Sequence, residues 1–151
     1  MATMTPITRA RDERVNWLSS IPFFLVHALC FAVILTGITR TAVVLFVVMF
    51  LSRSIFVTAG YHRYFSHKAY KLNRFWQFVF AFMAQSSAQK GVLWWAANHR
   101  HHHRYSDTEL DLHSPLKGFW WSHVGWILSD KYKATDYAAI KDFGKYPELV
   151  W

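Results

Sequence analysis

Between Arg14 and Arg40 the chain carries no Asp, Glu, Lys or Arg. Within that gap, Ile21–Thr39 reads IPFFLVHALCFAVILTGIT, apolar except for the ring of His27 and two threonines. A backbone in hydrocarbon must satisfy its N–H and C=O groups internally, so such a run is helical. Rising about 1.5 Å per residue, it spans the ~30 Å apolar core of a bilayer. A second stretch, Thr41–Gly60, is about as long and holds one cation, Arg53. Only Arg40 separates the two, which predicts a transmembrane helical hairpin over about residues 21–39 and 41–60. Two buried helices of a soluble bundle are the alternative. They would keep a polar face, and the first stretch has none. Arg53 is costly in lipid and is expected to face protein, water or the head groups.

The hairpin accounts for the composition. Hydrophobic residues make up 53% of the chain and charged residues 17%, against roughly 25% charged in ordinary soluble domains. A disordered chain needs low hydrophobicity and high net charge, so disorder is excluded. The single cysteine, Cys30, excludes an internal disulfide framework and a four-cysteine zinc site. The net charge of +8 suits an anionic partner. Nucleic acid is not expected, because the basic residues hug the span ends and form no recognition motif. Arg9, Arg11 and Arg14 precede the first span; Arg63, Lys68, Lys71 and Arg74 follow the second. The positive-inside rule then puts both ends in the cytoplasm, with residues 1–20 as a cytoplasmic N-terminal segment. A cleaved signal peptide is not expected: the apolar run begins late, is too long, and no A-x-A site follows it.

A third uncharged run, Phe75–Gln89, is short for a span. Two placements are open for it: a helix on the cytoplasmic membrane surface, or one packed beneath the histidines that flank it. Trp94, Trp95, Trp120, Trp121 and Trp126 suggest the membrane–water boundary. The tail, Tyr132–Trp151, reads as a weakly amphipathic helix stopped near Gly144 and Pro147. No segment carries a convincing strand signal. The fold class is therefore all-α: a multi-pass membrane protein whose hairpin bears a cytoplasmic helical cap.

Six of the nine histidines fall in two short clusters, His62/His67 and His99/His101/His102/His103. On a helix, positions three and four residues beyond His99 turn by about 300° and 400°, so His102 and His103 share its face. His101 points about 200° away and is not expected in the same site. His62 and His67 are about 140° apart on an ideal α-helix. They meet one site only if the helix ends or bends between them, as Gly60 and the exit from the bilayer would allow. Neutral imidazoles suit zinc, copper, iron or nickel. Five of them exceed what one zinc takes and fit part of a two-metal site. His27 lies alone and reads as a residue satisfied locally.

These residues carry a resemblance. HRYFSH (62–67) followed by NHRHHHRYSDTELDLHSPLKGFWWSHVGW (98–126) resembles the first and second histidine boxes of the membrane fatty acid desaturases, nearest the Δ9 acyl-CoA desaturases. The similarity runs from about Thr58 to Trp126. It implies two non-haem iron ions that activate O2 and remove two hydrogens from a saturated acyl chain, leaving a cis double bond, Δ9 in the nearest relatives. It also implies a fatty acyl-CoA or other acyl carrier as substrate, and an electron donor such as ferredoxin or cytochrome b5. Carried over by position, the iron ligands are His62, His67, His99, His102 and His103. Asp107 and Asp111 either accept the outer N–H of a ligand ring or cap their own loop. Trp95 matches a tryptophan near the family's substrate, and core packing is its alternative. His113 and His123 match positioning or packing residues.

The family's third box, of HNxHH type, does not occur in this sequence. Residues 21–151 are accordingly expected to be the N-terminal part of a desaturase domain, inactive alone. The inner half of the second span, near Val57–Tyr61, is where tunnel-lining residues are expected. Lys68, Lys71, Arg74, Lys90, Lys117, Lys131 and Lys133 either hold the phosphates of coenzyme A or an acidic donor, or form a solvated positive face. The expected location is a bacterial plasma membrane. The rivals are another membrane di-iron oxygenase (a hydroxylase, ketolase or acyl-lipid desaturase) and a non-enzymatic metal-binding or metal-transport membrane protein. The spans hold only His27 and Arg53 as an ionisable path, which argues against transport.

Overall fold

The structure, a computed structural model, describes residues 10–150. Among the described residues all regular structure is helical, apart from an isolated antiparallel bridge between Val15 and Ser129. The first long helix, α1 (Trp17–Thr36), starts on an Asn16 cap that accepts from the Ser19 N–H. It ends at Gly37, whose φ of +71° is a left-handed conformation that glycine adopts without strain. The second, α2 (Arg40–Ser66), starts on Thr39, which accepts from the Ala42 N–H. Both helices begin ahead of the expected spans, and α2 outruns its span by six residues. The helix does not break at Gly60; it ends at Ser66, between the two histidines. From Val57 to Ser66 the helix continues with π winding.

Both long helices present apolar side chains to their surroundings. Leu18, Ile34, Leu35 and Phe46 are each at least two-thirds exposed, and no residue of Arg40–Phe56 is buried. The core helix of a soluble bundle would be covered. A surface of this size and apolarity requires lipid or further protein against it. The protein is thus an all-α, membrane-associated chain.

The chain forms two compact units. The larger holds residues 33–104 and 135–150 among those described. In it, helix α3 (Arg74–Gln85) is capped by Asn73, which accepts from the Trp76 N–H. Its inner face is Gln77, Ala81 and Ala84, and Gly60 of α2 lies so close that a Cβ there would meet Ala84 Cβ at 3.3 Å. Phe75, Phe78 and Phe82 stay exposed on its outer face. The helix packs on α2, and its outer face is apolar. Arg53 meets the expectation that it faces protein. Its Nε donates to the Ser86 carbonyl at 3.0 Å, at the negative end of α3.

Helix α4 (Val92–Tyr105) buries Val92, Leu93, Ala96 and Ala97 in a core with Tyr61, Tyr64 and Phe65 of α2. Ile140, Phe143 and Leu149 of the tail complete that core. The tail differs from the expected helix. It forms turns, then a helix only at Lys141–Gly144 and a 3-10 turn at Pro147–Leu149. Asp136 is one cause: its Oδ1 accepts from the N–H groups of Ala138 and Ala139, holding a local turn where the helix would start.

The smaller unit holds residues 10–32 and 105–134 among those described. Trp121 is fully buried there and donates Nε1–H to the Leu112 carbonyl at 3.0 Å. Asn16 donates to both carboxylate oxygens of Asp130 at 3.0 Å. Glu13 accepts from Lys117 at 2.6 Å and Lys131 at 2.7 Å. Burial alone would raise the Glu13 carboxyl, but the two ammonium groups prevail and hold it at about 2.

Candidate metal centre

The π winding explains how a five-residue spacing produces one site. In an α-helix the residue four places along returns over the first; bonding from i to i+5 does the same for the fifth. The His67 N–H donates to the His62 carbonyl at 3.1 Å, and the two rings meet at 4.5 Å between centroids. On α4 the ordinary four-residue spacing brings His99 and His103 together, also at 4.5 Å, with their Nε2 atoms 3.0 Å apart. The two pairs face one another: His62–His99 is 4.8 Å and His67–His103 is 4.6 Å. One nitrogen from each of the four rings lies within 4.8 Å of every other.

The surroundings favour the neutral form of His99 and His67. Burial pushes His99 down to about 3, reinforced by His103, His62, His67 and His102. His67 is lowered too, by burial first and then by His62, His103 and Arg100. A neutral imidazole keeps the lone pair a metal needs. Nitrogens sharing one ion at about 2.0–2.1 Å each lie no more than about 4.2 Å apart. The four lie close enough that ring rotations would close them on an ion. The donor set and its geometry fit a metal.

The other expected residues are placed as follows. His102 stands outside the four-ring set, 5.6 Å from His103 and 6.2 Å from His99 between centroids. His101 is exposed and is not in the set, as its angle predicts. Trp95 is stacked on His99 at 4.5 Å and on Tyr61 at 5.1 Å, and donates Nε1–H to Gln89. Asp111 is buried, and its carboxylate accepts from the N–H groups of Asp107 and His113, so it caps its own loop. Asp107 is exposed at φ +61°, a strained loop position. His113 packs on Trp126, and His123 stacks on Phe119. His27 bonds the Phe23 carbonyl one turn back.

The basic residues are mostly engaged in ion pairs. Lys68 pairs with Asp142, Arg74 with Glu148, Lys117 and Lys131 with Glu13, and Lys133 with Asp130. Lys90 lies 4.3 Å over the Trp94 ring. Sequence reasoning passed over Arg100, which makes five hydrogen bonds beside the cluster. A signal existed: a cation inside a metal-binding run opposes the metal unless it is turned away and paired.

No family model matches the chain. Among curated proteins it is similar to a probable acyl-CoA desaturase of Schizosaccharomyces pombe, 34% identical over 117 residues, which are 77% of this chain and 24% of that protein. An sn-2 palmitoyl-lipid 9-desaturase of Nostoc is 30% identical over 148 residues, 95% of this chain and 52% of that protein. An acyl-CoA 5-desaturase of Anemone leveillei is 37% identical over 89 residues, 59% of this chain and 26% of that protein. The chain thus spans from about a quarter to about half the length of these relatives.

Proposed function

The chain belongs to the fatty acid desaturase family, and we propose that it is the N-terminal part of an O2-dependent enzyme that places a cis double bond, at Δ9, in a saturated acyl chain. The convergence of His62, His67, His99 and His103 is the observation that carries this reading. These four rings would hold iron, with His102 serving a second ion whose remaining ligands lie elsewhere in the full protein. When bound, the iron pair supplies the oxidising power to remove hydrogen from an unactivated carbon, which no side-chain acid or base provides. The balance is one acyl chain, one O2, two electrons and two protons in, and one olefin with two waters out. The electrons come from a donor such as ferredoxin or cytochrome b5.

The chain's own residues supply position and environment. Trp95, stacked on His99 and on Tyr61, fixes the His99 ring's plane and would put an apolar ring edge beside an acyl chain. The segment Val57–Tyr61 brings an apolar wall up to the first histidine pair. Asp111, and Asp107 with it, would keep the loop after the second box in register. The acyl carrier is coenzyme A or a lipid, since relatives of both kinds are similar to this chain. The ion pairs of Lys68, Arg74, Lys117, Lys131 and Lys133 support the view that these cations serve the fold more than a phosphate ligand. The proposed setting is a bacterial plasma membrane, with the N-terminus and both histidine boxes on the cytoplasmic side.

Product analysis tests this. The full-length protein, supplied with iron, O2, a reducing system and a saturated acyl substrate, should yield an olefin two hydrogens lighter. A hydroxylated or keto product without olefin would replace the desaturase reading by that of another di-iron oxygenase. Metal uptake with no acyl product would favour a non-enzymatic metal-binding protein.

A further inference from the structure

Arg100 lies between His99 and His101, yet its side chain turns away from the cluster into a set of fixed acceptors. Nε donates to the Ser66 carbonyl at 3.0 Å, and Nη2 to the Phe65 carbonyl at 2.7 Å. Nη1 donates to the Ala139 carbonyl at 3.0 Å and to Asp142 Oδ1 at 2.9 Å. Nη2 also reaches Asp142 Oδ2 at 3.0 Å. A guanidinium has five N–H donors in a rigid fork, and all five are engaged.

The acceptors matter more than their number. Phe65 and Ser66 end the π-wound segment, immediately before His67. The last carbonyls of a helix lack partners within it and form its negative end. Beyond them the chain turns at Lys68, with φ +51°, so that the Lys68 N–H returns to Tyr64 and the Ala69 N–H to Arg63. Arg100 takes the two carbonyls those bonds leave. One end of the residue is therefore fixed beside His99 on α4 and the other at the root of His67. Asp142 anchors the guanidinium from the tail and takes Lys68 at 3.1 Å as well. Lysine could not replace this tie, having three donors on a point charge and no planar fork.

We infer that Arg100, anchored by Asp142, is the positioning residue that holds the first histidine pair in metal-binding register with the second. A site of this kind tolerates displacements of about 0.5 Å, and Arg100 is a polar link that crosses from one pair's helix to the other's beside it. The inference rests on the metal centre proposed above and goes beyond it, because it assigns the register to groups that bind no metal.

The test compares Arg100→Lys and Asp142→Asn with Arg74→Lys in the full-length protein. Arg74 makes a similar two-pronged pair with Glu148 of the same tail, at 2.7 and 2.8 Å, but touches no residue next to a histidine of the cluster. Cobalt(II) is titrated into the metal-free protein and followed by its visible absorption. Arg100→Lys should weaken cobalt binding about 10–100-fold and change the band shape, the range seen when residues supporting metal ligands are lost. Asp142→Asn should shift both in the same direction by less, and Arg74→Lys should leave both unchanged. Backbone amide exchange over residues 61–69, read without metal, should rise in Arg100→Lys alone of the two arginine variants. Wild-type affinity and spectrum in both Arg100→Lys and Asp142→Asn would overturn the inference and leave the metal centre standing. Equal losses in Arg74→Lys would overturn it as well, by reducing Arg100 to a generic brace. No cobalt bound by the wild-type protein would overturn the metal centre and this inference together.

Discussion

Glu13 is a single carboxylate held by two lysines, and its consequence is a pH limit. Its folded pKa of about 2 lies below the ordinary carboxylate value of 4.5, so its stabilisation is complete above 4.5 and lost as pH falls towards 2. Glu13→Gln should flatten the acid limb of unfolding in that window. At neutral pH it should cost about 1–3 kcal/mol, because two partly buried ammonium groups lose their partner. An acid limb identical to that of wild type would remove Glu13 from the account. Among the histidines the expected pattern is selective. His103→Ala should weaken metal binding at least tenfold, while His101→Ala should leave the affinity within twofold of wild type, as cobalt titration would show. His99 and His103 were legible in the sequence because imidazole spacing on an α-helix is arithmetic; His102, expected on the same face, stands outside the four-ring set. Arg100 was not legible, because its acceptors lie 34 to 42 residues away and only the fold brings them to it.

At the scale of elements, the π-wound end of α2 decides the site. The spacing of His62 and His67 is wrong for an α-helix, and the sequence alone admitted a break there. The chain changes its hydrogen-bond step from Val57 and ends the helix at Ser66, with Gly60, Tyr61, Tyr64, Phe65 and Ser66 buried. Gly60 sits where α2 and α3 approach most closely. Gly60→Val should crowd Ala84 and cost about 1–3 kcal/mol by overpacking, seen as a lower melting temperature in detergent; an unchanged melting temperature would contradict the close approach. Asn73→Ala should cost about 1 kcal/mol by uncapping α3, with cobalt affinity retained. The tail misled the sequence reading for a related reason. Its apolar residues are spaced for a helix, but Ile140, Phe143 and Leu149 are buried separately through turns that Asp136, Gly144 and Pro147 impose.

For the whole molecule, two apolar helices and a histidine cluster divide the work of anchoring and chemistry. The hydrophobic run was the most legible feature, since a stretch with no charge has few ways to fold in water. Detergent or lipid should be required to keep the protein dispersed, and carbonate washing of membranes should leave it in the pellet. Release by carbonate would contradict the spanning reading of α1 and α2. The account's central claim is that His62, His67, His99 and His103 form a metal centre. It is tested most directly by counting iron per chain in purified full-length protein, in wild type and in the variant with all four histidines changed to alanine. The account predicts that the fourfold variant loses at least one iron per chain while remaining folded by circular dichroism. Equal iron in both proteins would contradict it.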